Sequence, residues 1–106
     1  MAGPRPADDW PDFTFSARLQ FWALPAEVIE AFVAVFPEFT RAPRRPSATV
    51  DILPLRNDRS RWRLKVAGYR ALYRIRHGRP LIEKIVPRSA RTYREFAEYA
   101  RHFPAE

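Results

Sequence analysis

Residues 56–79 read Arg56-Asn57-Asp58-Arg59-Ser60-Arg61-Trp62-Arg63-Leu64-Lys65-Val66-Ala67-Gly68-Tyr69-Arg70-Ala71-Leu72-Tyr73-Arg74-Ile75-Arg76-His77-Gly78-Arg79. These twenty-four residues hold nine basic side chains and one acid, Asp58. Trp62, Leu64 and Val66 alternate with Arg61, Arg63 and Lys65. That period of two marks a strand with one apolar face and one cationic face. The chain then turns at Ala67-Gly68 and runs back through Tyr69 to Tyr73. A hairpin symmetric about Ala67 and Gly68 sets Lys65 opposite Arg70, Arg61 opposite Arg74 and Trp62 opposite Tyr73. Like charges directly opposite on one sheet face destabilise it. A sheet built this way is suited to a polyanion, and nucleic acid is the natural one.

The rest of the composition fits that reading. At 106 residues the chain is the length of one domain, and 46% hydrophobic residues with fifteen aromatics can fill a modest core. The net charge is +7, unevenly spread. Residues 1–40 hold two basic and six acidic side chains, whereas residues 41–101 hold seventeen basic and five acidic. A basic functional half therefore packs on a neutral-to-acidic half. Cysteine is absent, which excludes a disulfide framework and a thiolate metal site. The opening residues, M-A-G-P-R-P-A-D-D-W, contain no apolar segment of a secretory signal, and no apolar run reaches membrane-spanning length. A cytoplasmic protein with no membrane contact is the expectation.

Outward from the hairpin, the elements can be assigned in turn. Residues 1–11 hold three prolines and read as a flexible arm, leaving 12–106 as a single domain. Asp12 to Ser16 reads as a first strand with Phe13 and Phe15 on one face. Ala17 to Leu24 reads as a short helix with Leu19, Trp22 and Ala23 inward. Leu24-Pro25 breaks it, and Pro25 suits the first turn of the next helix. That helix runs to Phe36, with Val28, Ile29, Phe32, Val33 and Phe36 on its apolar stripe, and Pro37 ends it. Thr40 to Ser47 is a basic loop. Thr49 to Leu53 is a strand, and Pro54 ends it or puts it at an edge. After the hairpin, His77-Gly78-Arg79-Pro80 makes a second turn, Leu81 to Val86 a further strand, and Pro87 its end. Thr92-Tyr93-Arg94-Glu95 matches a capping box, so a last helix starts at Tyr93. The fold class is α+β: an N-terminal helical hairpin packed on a small antiparallel sheet of three to four strands, with a short C-terminal helix.

Three stretches together resemble the RelE/ParE superfamily of bacterial toxins. Ser16 to Phe36, with its central Leu24-Pro25, is similar to that family's helical hairpin. Leu55 to Tyr73 resembles its central signature, "pLrG…yRlRvGdYRvlY". Ile85-Val86-Pro87-Arg88, followed by Tyr93, looks like its "v-G-H-R…Y" ending. The likeness covers roughly residues 13–103 in the family's order. It departs at Pro87, where many relatives have histidine or lysine, and at Ala67, which stands where a turn glycine is usual.

The resemblance implies a toxin of a type II toxin–antitoxin system, neutralised by a small antitoxin, and leaves two branches. RelE-type members are ribosome-dependent mRNA endonucleases; ParE-type members are non-enzymatic inhibitors of DNA gyrase. Cleavage of RNA through its own 2′-hydroxyl needs a base, cations for the phosphorane and an acid for the leaving 5′-oxygen. Lys65 is the titratable residue best placed to be the base, because flanking Arg63 and Arg70 would lower its pKa. Arg70 matches the family position that contacts the scissile phosphate, and as a permanent cation its role is electrostatic. Arg88 matches the arginine assigned to the leaving group or transition state. Tyr93 matches the tyrosine that stacks on a base or donates a proton. Arg61, Arg63, Arg74 and Arg91 complete an RNA-binding set, with Arg91 an alternative to Arg88. His77 and His102 read as surface residues. This near-complete set favours the RelE-like branch, a metal- and cofactor-free endoribonuclease acting on mRNA in the ribosomal A site. The expected protein partner is an acidic antitoxin laid along the cationic sheet.

Overall fold

Thr14 decides where the helix Phe15–Trp22 begins. Its Oγ1 accepts a hydrogen bond from the Ala17 amide at 3.2 Å, the signature of a helix N-cap. The computed structural model describes residues 9–56 and 58–88. In chain order these form β1 (Asp12–Phe13), α1 (Phe15–Trp22), α2 (Ala26–Arg41), β2 (Asp51–Leu55), β3 (Asp58–Val66), β4 (Tyr69–Arg76) and β5 (Arg79–Pro87). The five strands lie in the order β1-β5-β4-β3-β2. The antiparallel run β2 to β5 is a meander, and β1 adds to its far edge in parallel, with Asp12 beside Leu81 and Phe13 beside Ile82. The fold is α+β, as the sequence predicts, but the sheet is mixed and has one strand more than expected.

Both helices pack on one face of the sheet. The core is built from Ala17 and Phe21 of α1, Val28, Phe32, Phe36 and Phe39 of α2, and Val50, Ile52, Leu64, Val66, Ala71, Tyr73, Ile82 and Ile85 from the sheet side. Phe21 sits at its centre, with ring centroids 5.2 Å from Phe13, 6.1 Å from Phe32 and 5.6 Å from Phe36. Gln20 fixes α1 to the sheet, its Oε1 accepting from the Ile85 amide at 2.8 Å.

Four local expectations are corrected. Phe15 belongs to α1 rather than a strand, because the Thr14 cap starts the helix there; the residue is 76% exposed. The buried phase of α1 runs through Ala17 and Phe21, so Leu19 and Trp22 face outward, each 58% exposed, and Ala23 is exposed too. Helix α2 does not stop at Pro37 but continues to Arg41. A proline inside a helix removes one backbone bond and clashes with the preceding turn. Here the turn beyond it buries Phe39, whose ring meets Tyr73 edge-on at 4.8 Å, and Thr40, whose hydroxyl donates to the Asp9 carbonyl at 3.4 Å. Finally, Trp10 and Pro11 are not part of a loose arm. Trp10 packs edge-on against Phe21 and Phe36, and its carbonyl accepts from Arg79 Nη2 at 2.6 Å. The helix expected from Tyr93 lies outside the described residues.

Among the described residues no helix is long and apolar enough to cross a membrane.

Candidate nucleic-acid-binding face

The β3–β4 hairpin has the register that its sequence dictates. Lys65 pairs with Arg70, Arg61 with Arg74 and Trp62 with Tyr73. Ala67 and Gly68 take φ of 50° and 81°, the left-handed pair that a two-residue hairpin turn requires. With Leu64, Val66, Ala71 and Tyr73 turned to the helices, alternation puts Arg61, Arg63, Lys65, Arg70, Leu72 and Arg74 on the opposite face. That face continues across the neighbouring strands. One row runs Asp51, Lys65, Arg70, Val86; the next runs Leu53, Arg63, Leu72, Lys84.

The two like-charge pairs have different fates. Arg61 is only 3% exposed. Its Nη1 meets Asp58 Oδ2 at 2.9 Å and its Nε donates to Glu83 Oε1 at 3.1 Å. Arg74, half-buried, ion-pairs with the other oxygen of Glu83 at 3.4 Å. Glu83 can reach both because β5 bulges there: Leu72 pairs with Lys84 and Tyr73 with Ile82, leaving Glu83 as the extra residue. So the Arg61–Arg74 pair is neutralised from within. Arg61, expected among the RNA-contacting cations, is a buried strut of the sheet. Burial of Asp58 raises its carboxyl pKa, but the Ser60 hydroxyl and amide and the Arg61 guanidinium outweigh this, and the net shift is downward.

The Lys65–Arg70 pair lies at the turn end of the hairpin. Lys65 is half-buried, as is Arg63, whose Nη1 reaches Asp51 Oδ1 at 3.2 Å. That carboxylate is itself at the surface, its side chain 55% exposed. Arg70 departs from expectation: at 4% exposure it lies within the face rather than on it. Arg88 is brought in by the backbone. Its amide donates to the Gly68 carbonyl at 2.8 Å, which extends the β4–β5 ladder by one step. Alternation from Val86 then carries Arg88, an exposed residue, to the face of Arg70. Tyr93 and Arg91 lie outside the described residues.

Three residues of this face escaped the sequence reading. Glu83 and Asp51 orient arginines, and Lys84 adds a cation beside Leu72. Glu83 had a signal: an acid inside Leu81-Ile82-Glu83-Lys84-Ile85-Val86 must be buried with a partner. Asp51 had one too, as the polar member of an alternating strand. Leu72 and Val86, with Leu55, form a small apolar cluster on this same face. The face thus combines cations, several of them ion-paired, with a small apolar floor. Among the described residues no cluster of histidine and carboxylate side chains is arranged to hold a metal ion.

No protein-family model matches the sequence, and no curated protein sequence does either. Solved structures do. A RelB–RelE antitoxin–toxin complex from Methanococcus jannaschii aligns at TM-score 0.63 and 10% identity, covering 80% of this chain and 96% of that one. The toxin–antitoxin complex RelBE2 from Mycobacterium tuberculosis aligns at TM-score 0.59 and 29% identity, covering 74% and 93%. The isolated RelE toxin of E. coli aligns at TM-score 0.50 and 18% identity, covering 85% and 96%. The fold is that of the RelE-like toxin superfamily, as the sequence motifs imply.

Proposed function

We propose that the chain is the toxin of a type II toxin–antitoxin pair, and that it cleaves mRNA on the ribosome through the RNA 2′-hydroxyl. The observation that carries this reading is the meeting of Lys65, Arg63 and Arg70 on one sheet face, with Arg88 fixed at its end. The RelE-like fold, shared with structures solved as toxin–antitoxin complexes, supports the toxin role.

Each side chain has a part set by its place. Lys65 takes the 2′-hydroxyl proton. Arg63, oriented by Asp51, forks to a phosphate oxygen. Arg70 lies beneath the row and acts through its charge, which a low-dielectric layer transmits more strongly than water would. Arg88, exposed at the end of β5, assists the leaving 5′-oxygen with Tyr93. The products are a 2′,3′-cyclic phosphate or 3′-phosphate and a free 5′-hydroxyl. The ribosome supplies alignment of the message, so few acid–base groups are needed on the protein. The antitoxin partner is acidic. It covers the cationic face, and an amphipathic segment of it takes the exposed Phe15 and Leu19 of α1.

Mapping mRNA 5′ ends on translating ribosomes after induction tests the reading. In-frame cuts that vanish in Lys65→Ala support it. Intact messages with blocked supercoiling by gyrase instead favour the ParE-like alternative.

A further inference from the structure

The end of β4 remote from Lys65 carries a second cationic feature. Arg76 and Arg79 stand directly opposite each other across β4 and β5. With Asp12, Trp10, Trp22 and Arg18 they line an open pocket of about 500 Å³. That volume lies in the range of small-ligand sites, roughly 300–1,000 Å³. Arg79 is fixed in place: its Nη2 donates to the Trp10 carbonyl and its Nε faces the Asp12 carboxylate at 3.4 Å. Asp12 offsets one of the three arginines, so the lining keeps two net positive charges. Arg18 and Arg76 are exposed.

The aromatic part of the pocket is a supported shelf. Trp22 stacks on Trp10 with centroids 6.1 Å apart and planes at 30°. Trp10 is in turn held edge-on by Phe21 and Phe36 at 5.9 Å and 5.3 Å. Trp22, 58% exposed, therefore offers solvent an indole backed by the core in a pocket that Arg18, Arg76 and Arg79 also line. A run of carboxylate side chains would satisfy the arginines, but the carboxylates themselves bring no ring for the indole. A nucleotide brings both a phosphate and a planar base.

We propose that this pocket binds one nucleotide of single-stranded RNA, its base stacked on Trp22 and its phosphate held by Arg18 and Arg76. Arg70, Arg74 and Arg76 lie on one face of β4, and the six steps from Arg70 to Arg76 span about 20 Å. Trp22 and Arg18 belong to α1 on the other face, so a strand whose phosphodiester lies at Lys65 reaches the pocket by bending around the end of β4 at Arg76. The pocket's role rests on the reading that the face receives RNA, but binding in it needs no cleavage.

The test uses the full chain carrying Lys65→Ala, with its fold checked by circular dichroism, titrated with a short fluorescein-labelled single-stranded oligoribonucleotide and read by anisotropy. Adding Trp22→Ala should weaken binding about 5- to 150-fold. Adding Arg76→Ala should lower the slope of log K against log salt by about 0.7. Absence of binding by the folded Lys65→Ala chain, or binding indifferent to both additions, overturns the pocket and leaves the cleavage reading standing. Quenching of indole emission by the acidic antitoxin but not by RNA also overturns it, in favour of protein docking. Pocket binding retained in a chain whose native form leaves mRNA uncut sinks cleavage and keeps the pocket.

Discussion

Arg61 holds a full charge at almost no exposure because Asp58 and Glu83 grip it from two sides. Removing Arg61 leaves buried Asp58 without its guanidinium and Glu83 with Arg74 as its remaining ion-pair partner of the set. Arg61→Met should therefore lower stability by about 3–5 kcal/mol, read as a shift of the urea midpoint. The same cluster fixes the acid limb of stability. The folded pKa of Asp58 is depressed, so its contribution is fully present above its ordinary value of 3.8 and fades as pH falls through the lower folded value. Asp58→Asn should flatten the stability–pH curve below about pH 4 and leave the slope at neutral pH unchanged. Tyr73 behaves oppositely. Burial raises its pKa above the ordinary 10.0, so its stabilising effect is present below pH 10 and is lost as pH rises beyond it. Its hydroxyl donates to the Pro43 carbonyl at 2.6 Å, tying the loop after α2 to the sheet. Tyr73→Phe leaves that buried acceptor unmet and should cost about 1–3 kcal/mol by the same denaturation measurement.

At the scale of elements, strain is stored at two hairpin turns and one helix. Ala67 and His77 take φ of 50° and 55°, in the region that side-chain-bearing residues avoid. Ala67→Gly should raise stability by about 1 kcal/mol. Gly68→Ala should lower it by about 1–2 kcal/mol through φ alone, since nothing within 4 Å would meet the added methyl. Pro37→Ala should stabilise α2 by about 2 kcal/mol, since it restores a backbone donor. A thermal melt of each variant checks the sign. These positions also show what local reading can and cannot reach. The register of β3 and β4 followed from Trp62-to-Tyr73 symmetry, because a two-residue turn leaves one way to pair an alternating strand. The end of α2 did not, because Pro37 is a strong local stop that the burial of Phe36 and Phe39 overrides. The phase of α1 was misread for a related reason. Leu19 and Trp22 look like core residues, yet the Thr14 cap and the Gln20–Ile85 bond set the rotation of the helix.

Across the whole molecule, the α+β class and the cationic face were legible because α2 carries an apolar stripe at three- and four-residue spacing and the hairpin strands alternate. The parallel partner β1 was not, since two residues carry no period and the pairing joins segments nearly seventy positions apart. Nor was the split between structural and exposed cations. Arg61 and Arg63 are equivalent in the pattern Arg61-Trp62-Arg63, and only the bulge at Glu83 makes one a strut and leaves the other facing a surface carboxylate. The pairing of Lys65 with Arg70 keeps positive charge concentrated where Arg88 joins the hairpin. The most direct measurement compares the native chain with Lys65→Ala by sequencing mRNA 5′ ends on translating ribosomes, at matched levels of folded protein. New in-frame 5′-hydroxyl ends with the native chain, reduced at least a hundredfold in the variant, are expected from the loss of about 3 kcal/mol of transition-state stabilisation. Equal cutting by both chains, or none by either, contradicts the assignment of this face to RNA cleavage.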